Sequence, residues 1–331
     1  MSVTQDAVDD AVRTLRRGGL VAFPTETVYG LGADASNAAA LHRLYAVKGR
    51  PVDHPVIVHL PTGPTVDATV GRWGAALPPT ARALAEACWP GPLTLVLRRG
   101  PAVLDEVTGG ADTVGLRVPD QPLARRLLTA FGGGVAAPSA NRFGRVSPTT
   151  AAHVHADLDG DVDVVLDGGP CHVGVESTIV DCSDDTPIVL RLGALPRERL
   201  RTILGFLPPV RDDGSRAAPG TRPSHYAPRA EVVVCDAHDV AARARALLTS
   251  GRRVGVLAAA PPAGLPSEVA RLAAPADVDA FAHQLFSLLR RADDDGLDAL
   301  VVVPPPATGV GAAVLDRLTR AAAARTPERT P

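Results

Sequence analysis

LVAFPTETVYGLG, residues 20–32, sets a short apolar run directly against a polar cluster. Leu20–Phe23 has the length and composition of a buried strand, and Pro24 stops it. Thr25, Glu26 and Thr27 then bring two hydroxyls and a carboxylate, and Gly30 and Gly32 come shortly after. Polar groups gathered where a strand ends suit ligand binding, because open α/β sheets bind ligands there. A plain polar turn would read the same.

Outward from this stretch, strands and helices interleave. Residues 6–17 place Val8, Val12 and Leu15 at helical spacing and end at Gly18-Gly19. Residues 37–47 read as a helix with Leu41, Leu44 and Tyr45 on one face, and residues 121–131 as another. Strands are expected at 56–60, 93–97, 113–118, 135–137, 162–166, 177–181 and 188–192. Some strands succeed each other directly, which points to an α/β domain with a mixed sheet. After Leu207 the texture changes. Residues 208–229 are proline-rich, lack apolar periodicity and read as a semi-extended linker. Beyond it, strands at 231–235, 254–258 and 297–303 alternate with helices at 240–248, 277–289 and 311–324. That alternation predicts a smaller Rossmann-like α/β domain, without G-x-G-x-x-G after its first strand. The expected organisation is a catalytic domain at 1–207, a linker at 208–229, a second domain at 230–324 and a flexible tail at 325–331.

Composition excludes several classes. A net charge of −2 gives no footprint of a dedicated nucleic-acid binder. No apolar run reaches the length of a membrane span, and the acidic N-terminus does not read as a signal peptide. A cytoplasmic protein is expected. Cys88, Cys171, Cys182 and Cys235 form no C-x-x-C pair and suggest neither zinc nor disulfides, so they read as reduced small hydrophobes. His153 and His155 are too isolated for a metal site. Lys48 is the sole lysine among 34 Lys+Arg residues. A chain that otherwise uses arginine points to a need for an ammonium at that position, or to chance survival of one surface lysine.

Several clusters carry candidate chemistry. Lys48-Gly-Arg50-Pro51 lies just after a helix, and two cations two residues apart can converge on one polyphosphate. Basic capping of a helix C-terminus is the alternative. Strand alternation puts Thr113, Gly115 and Arg117 on one face, with Val114, Leu116 and Val118 toward the core. Ser139 and Asn141 come after a strand and can bond phosphate or base. Ser177 and Thr178 begin another strand. His59, in an apolar run, reads by itself as a core histidine. Together these clusters lie at strand ends of one domain and fit a single polar cleft.

The ordered motifs PTETVYGLG, KGRP, HPVIVHL, WPGPLTLVL, TVGLRVP, APSANRFGRVSPT and VESTIVD resemble the YrdC-like family, the L-threonylcarbamoyladenylate synthases. The resemblance covers residues 6 to about 203. The stretch APGTRPSHYAPRAEVVV and the α/β unit after it resemble the two-domain members. That stretch keeps Pro219-Gly220 and His225-Tyr226-Ala-Pro228 and departs at Thr221, Arg222, Pro223 and Ser224. The resemblance implies a twisted α/β sheet with a positively charged cleft. It also implies synthesis of L-threonylcarbamoyladenylate from L-threonine, bicarbonate or CO2, and ATP, for N6-threonylcarbamoyladenosine in tRNA. Residue by residue it implies Thr27, His59, Arg117 and Ser177 around L-threonine. Around ATP it implies Lys48, Arg50, His54, Thr113, Ser139, Asn141, Ser147, Arg191 and the linker's Tyr226, with Lys48 and Arg50 catalytic. His54 stands where relatives often carry Asn or another polar residue. Mg2+ is expected on the triphosphate with few protein ligands. The product would pass to the tRNA threonylcarbamoyl transferase machinery, with direct tRNA binding weak or unknown and no membrane partner. Two other readings stand beside this one: a related carbamoyladenylate-forming enzyme with another acceptor, and a non-enzymatic RNA-binding module.

Overall fold

A computed structural model describes residues 3–211, 226–260 and 263–323. Linker residues 212–225 and the expected tail at 325–331 lie outside the described residues. The described residues fall into two compact units: residues 3–143 with 147–211, and residues 144–146 with 226–260 and 263–323.

The first unit begins with α1 (Gln5–Arg16), whose N-terminus is capped by the Thr4 hydroxyl. It continues through β1 (Val21–Phe23), β2 (Gly30–Asp34), α2 (Ala38–Lys48), β3 (Ile57–His59) and α3 (Val66–Val70). Next come α4 (Pro79–Cys88), β4 (Leu93–Arg98), α5 (Asp105–Thr108), β5 (Thr113–Arg117), α6 (Pro122–Phe131) and β6 (Val135–Ala136). It closes with α7 (Ala151–Leu158), β7 (Val164–Val165), β8 (Thr178–Asp181), β9 (Ile188–Arg191) and α8 (Arg197–Leu204). The strands form one mixed sheet in the order β7-β1-β2-β6-β3-β5-β4-β8-β9, as the interleaved pattern predicts. Residues 209–211 add a short parallel ladder on the free edge of β9.

One face of this sheet carries the main core. Val58, Leu95, Leu116 and Val180 pack there against Leu41 and Leu44 of α2 and Leu84 of α4. Each such fully buried leucine or valine contributes about 1.5–3 kcal/mol. The other face is divided. Toward β1 and β6, Val12 and Leu15 of α1 and Leu127 and Leu128 of α6 cover Val21, Phe23 and Val135. Toward β3, β4, β8 and β9, the buried cluster Ile57, Val96, Ile179 and Leu190 comes from strands alone. His59, Gly115 and Arg117 lie on that half, because β3 and β5 pair in register Ile57↔Gly115 and His59↔Arg117.

The structure departs from the sequence reading in particular places. Residues 30–32 are not part of a turn: they open β2, which pairs antiparallel with β1 and with β6. The helices α3, α4, α5, α7 and α8 are additions to the expected elements. The strand expected at 162–166 shortens to two residues.

The second unit contains β10 (Glu231–Val234), α9 (Val240–Thr249), β11 (Val254–Ala258), β12 (Ala270–Ala273), α10 (Val278–Asp294), β13 (Ala299–Val302) and α11 (Gly311–Ala322). Its four strands are all parallel, in the order β10-β13-β11-β12. The Rossmann-like expectation holds, with β12 as an additional edge strand.

Candidate active site

The Lys48 ammonium occupies the last turn of α2, which ends at Gly49 in a left-handed conformation (φ 63°). Buried to 2% exposure, it donates to the carbonyls of Ser139 at 2.5 Å and Asn141 at 2.6 Å. Its third N–H has no protein acceptor among the described residues. Burial, and after it the Arg50 charge, hold its pKa well below the ordinary lysine value. An anion arriving there would relieve both effects. Helix capping alone, the alternative reading of this motif, would leave the ammonium in solvent.

Arg50 donates through Nη2 to the Pro55 carbonyl at 2.8 Å, and its guanidinium lies 5.7 Å from the centre of the Phe143 ring. His54 meets the same ring edge-on at 5.5 Å. The Phe143 amide donates to the Lys48 carbonyl at 2.8 Å, so the KGRP turn and the Ser139–Phe143 segment are held as one piece.

Arg117 forms a buried ion pair, its Nη2 2.7 Å from Glu26 Oε1, and donates to Thr27 Oγ1 at 2.9 Å. The Asp120 amide donates to the other oxygen of Glu26 at 3.1 Å. Arg117 Nε is buried and has no hydrogen-bond partner among the described residues. One edge of this guanidinium is therefore bound internally, while a donor elsewhere on it stays unfilled. His59, the register neighbour of Arg117, packs against the Phe23 ring at 6.0 Å and also keeps Nδ1 without a partner. Burial first, and the Arg117 charge second, lower its pKa to about 3, so the imidazole is neutral at physiological pH.

That depression has a sign. Between pH 6.5 and about 3 the unfolded histidine binds a proton that the folded one refuses. Stability from this position is complete above 6.5 and is lost as pH falls toward 3. By pH 5 the loss is on the order of 2 kcal/mol. Urea titrations from pH 7 to 4 should show a steeper loss in the parent than in His59→Leu. Parallel curves would reject the buried neutral state.

Ser177 anchors the third group. Arg191 donates to its carbonyl through Nε at 3.1 Å and Nη2 at 2.9 Å, and Nη2 also reaches its hydroxyl at 3.1 Å. The Thr94 and Ser177 hydroxyls share a hydrogen bond of 2.8 Å. A Cβ at Gly115 would lie 3.4 Å from Thr94 Cγ2, which places Thr94 on the Gly115 face. Ser147 donates to Glu176 at 2.6 Å, one residue before Ser177.

Backbone bonds join the groups: the Ala140 amide donates to the Tyr29 carbonyl at 2.8 Å, and the Tyr29 amide to the Pro148 carbonyl at 2.9 Å. Lys48, Ser139, Asn141, Thr27, Arg117, Ser177, Arg191 and Ser147 are thus joined in one connected network, with His59, Arg50 and His54 beside it. Thr113 stands apart, at the far end of β5, roughly 13 Å along the strand from Arg117. Tyr226 lies in the second unit. Its ring stacks on Phe286 at 5.7 Å, and the Arg317 guanidinium sits 5.0 Å from its centre. Glu176 and Thr94 join the network without having been candidates on sequence grounds, and Glu26, part of the polar cluster after β1, gains its partner Arg117 only in the fold. Thr94 has one signal there, a lone hydroxyl within the apolar run Leu93–Leu97.

The network and its surroundings carry Lys48, Arg50, Arg117 and Arg191 against two carboxylates, Glu26 and Glu176, both engaged. Such a surplus suits a polyphosphate and a carboxylate together. Among the described residues no group of three or more His, Cys, Asp or Glu side chains has the arrangement to hold a metal ion. The thiols of Cys171 and Cys182 are pushed up to about 12 by burial, which suits packing and not nucleophilic chemistry. Among the described residues no helix is long and apolar enough to cross a membrane.

Both units have counterparts among known proteins. The Sua5/YciO/YrdC family model, described as "Telomere recombination", matches residues 13–193. The model described as "Threonylcarbamoyl-AMP synthase, C-terminal domain" matches residues 195–323. The threonylcarbamoyl-AMP synthase of Bacillus subtilis (strain 168) is 39% identical over 339 residues, covering 98% of this chain and 95% of the relative. The protein of that name from Pyrococcus abyssi is 38% identical over 322 residues, covering 94% and 92%. The crystal structure of P. abyssi Sua5 complexed with L-threonine matches with a TM-score of 0.89 and 35% identity, over 97% of this chain and 96% of that one. Both units are thus matched by proteins of one kind, and the chain belongs to the Sua5/YrdC family of threonylcarbamoyl-AMP synthases in its two-domain form.

Proposed function

We propose that this chain condenses L-threonine, bicarbonate or CO2, and ATP into L-threonylcarbamoyladenylate, releasing pyrophosphate, as the first step of N6-threonylcarbamoyladenosine formation in tRNA. The observation that carries this reading is the gathering, in and beside one buried network, of a polyphosphate-type cation group (Lys48, Arg50, Arg191) and a guanidinium, Arg117, with an unfilled donor. Near-full-length similarity to threonylcarbamoyl-AMP synthases supports it, as does the L-threonine held by P. abyssi Sua5.

Arg117 receives the threonine carboxylate, a charge-assisted contact worth about 1.5–3 kcal/mol. Thr27, Ser177 and the neutral His59 face the remaining polar groups of threonine. His59 is suited to reading the hydroxyl, since its free Nδ1 either donates or accepts according to tautomer. The threonine amine adds CO2 and loses a proton to give a carbamate. One carbamate oxygen attacks the α-phosphorus of ATP, and the bond to the pyrophosphate oxygen breaks. Negative charge grows on the phosphoryl oxygens and on the leaving group. Lys48, Arg50 and Arg191 stabilise it from fixed positions, without solvent reorganisation. His54, Thr113, Ser139, Asn141 and Ser147 complete the nucleotide site. Mg2+ bound to the triphosphate supplies further charge neutralisation. The assignment of Tyr226 to the nucleotide rests on the sequence resemblance.

In this reading residues 1–207 carry the chemistry, 208–229 link the parts and 230–324 form the second domain. The enzyme works in the cytoplasm and hands its product to the tRNA threonylcarbamoyl transferase machinery. Pyrophosphate release by the purified protein should require both L-threonine and bicarbonate. Release that ignores threonine would favour another acceptor. Absence of release, with tRNA retained at raised salt, would favour an RNA-binding module.

A further inference from the structure

Thr94 is the one hydroxyl in β4, and it lies two residues before Val96, which pairs with Gly115. Strand alternation therefore puts Thr94 on the sheet face of Val96, Gly115 and Arg117. One branch of its side chain, the methyl group, is turned to Gly115, where a Cβ would lie 3.4 Å from Thr94 Cγ2. The other branch, the hydroxyl, meets Ser177 Oγ at 2.8 Å. Both residues are fully buried, and among the described residues no other group bonds the Thr94 hydroxyl.

A hydroxyl has one proton to give and two lone pairs to fill. Ser177 Oγ already accepts from Arg191 Nη2 at 3.1 Å, and a guanidinium can only donate. The bond between the two hydroxyls then decides where the last proton goes. If Ser177 donated to Thr94, the Thr94 proton would be buried without an acceptor among the described residues, the costly state for a buried donor. If Thr94 donates to Ser177, its own proton is used and both lone pairs of Ser177 are filled. Ser177 then keeps one free proton. A hydroxyl in that state can only donate: it meets an oxygen lone pair and cannot accept from an ammonium or another hydroxyl.

We propose that Thr94 is a positioning residue that fixes the proton of Ser177 toward the substrate, so that Ser177 takes an anionic oxygen of the amino acid and not its ammonium or hydroxyl. That oxygen belongs to the carboxylate or to the carbamate formed from the amine. This rests on the reading of Ser177 as a threonine contact. The threonine hydroxyl is left to His59, whose Nδ1 has no partner among the described residues. Thr94 touches no substrate atom in this arrangement. It acts through Ser177, as Arg191 does from the other side.

The test uses the full chain and two measurements. Calorimetric titration of L-threonine without bicarbonate reads a carboxylate contact, and KM for bicarbonate in pyrophosphate release reads a carbamate contact. The variants are Thr94→Val, Thr94→Ser, Ser177→Ala and the double variant Thr94→Val, Ser177→Ala. Valine keeps the methyl group against Gly115 and removes only the hydroxyl. Thr94→Val should weaken one of the two quantities about fivefold, while KM for ATP changes less than about twofold. Thr94→Ser should recover most of the loss. Ser177→Ala should weaken the same quantity at least as much, and Thr94→Val should add nothing to it, because contacting residues that act as one are not additive. Equal losses from Thr94→Val with and without the Ser177 hydroxyl, or no recovery in Thr94→Ser, overturn the proposal. A merely structural role would lower Tm and the active fraction and leave threonine affinity and KM for bicarbonate parental, which overturns it as well. Should Thr94→Val fail to fold, Thr94→Ala is read in the same way. Parental values in Ser177→Ala reject the threonine reading of Ser177 and the proposal with it, whereas a parent chain that binds no threonine rejects the proposed function itself.

Discussion

Lys48→Ala should lower kcat/KM for pyrophosphate release by at least about 10²–10³-fold while the protein remains folded. The bonds of its ammonium to protein go only to carbonyls. Carbonyl oxygens orient it without neutralising it, which in the proposed reaction leaves its charge to the incoming phosphates. Removing it leaves two carbonyls short of a donor, at a cost of about 1–3 kcal/mol. Release of a buried, disfavoured ammonium offsets part of that cost, which is why the fold should survive. Lys48→Arg should not restore activity. The site is 2% exposed and already has Arg50 beside it, and a planar guanidinium is too wide for a pocket shaped to a point charge. A second readout comes from the depressed pKa. Phosphate binding should raise it, so ATP should bind with proton uptake at pH values between the free and bound pKa. Calorimetry in buffers of different ionisation enthalpy would detect this, and Lys48→Ala should lose it. Parental pyrophosphate release by folded Lys48→Ala would end the assignment.

The same residue marks how far the sequence can be read. One lysine against a background of arginine is a compositional signal, visible without any fold. Motifs such as KGRP and TVGLRVP are legible because cations and glycines cluster locally. The alternation of Thr113, Gly115 and Arg117 correctly gives the outward face of β5. What stays hidden depends on distant partners. Glu26 looks like any polar residue in a turn until Arg117 pairs with it. Ser147 and Glu176 carry no mutual sign in the chain. Strand β2 escapes a local reading because Gly30-Leu-Gly32 has low strand propensity. Its pairing on both sides holds it, and Gly32 is required there: a Cβ would come within 2.8 Å of Val135 and 2.9 Å of Phe23.

Arg117→Ala should cost both stability and threonine binding, and the two losses can be separated. The Arg117–Glu26 pair is buried on both sides, with side-chain exposures of 5% and 1%. Breaking a buried pair by removing one partner costs about 3–5 kcal/mol, since the remaining charge is stranded. Arg117→Ala should therefore lower the urea midpoint sharply, with Glu26 left to the Asp120 amide alone. Replacing the pair by neutral groups avoids the stranded charge. The double variant Glu26→Gln, Arg117→Met should recover most of the stability and none of the threonine affinity, because the guanidinium proposed to receive the carboxylate is still missing. Glu26→Gln alone should behave differently again. It leaves Arg117 buried without its counter-charge, so the threonine carboxylate becomes the available one. Threonine should then raise Tm by more in Glu26→Gln than in the parent. Urea denaturation, with calorimetric titration of L-threonine into each variant, reads all four outcomes. Parental threonine affinity in the double variant would show that Arg117 holds the fold and not the substrate, and the carboxylate contact would have to be sought at Arg191 or Lys48 instead.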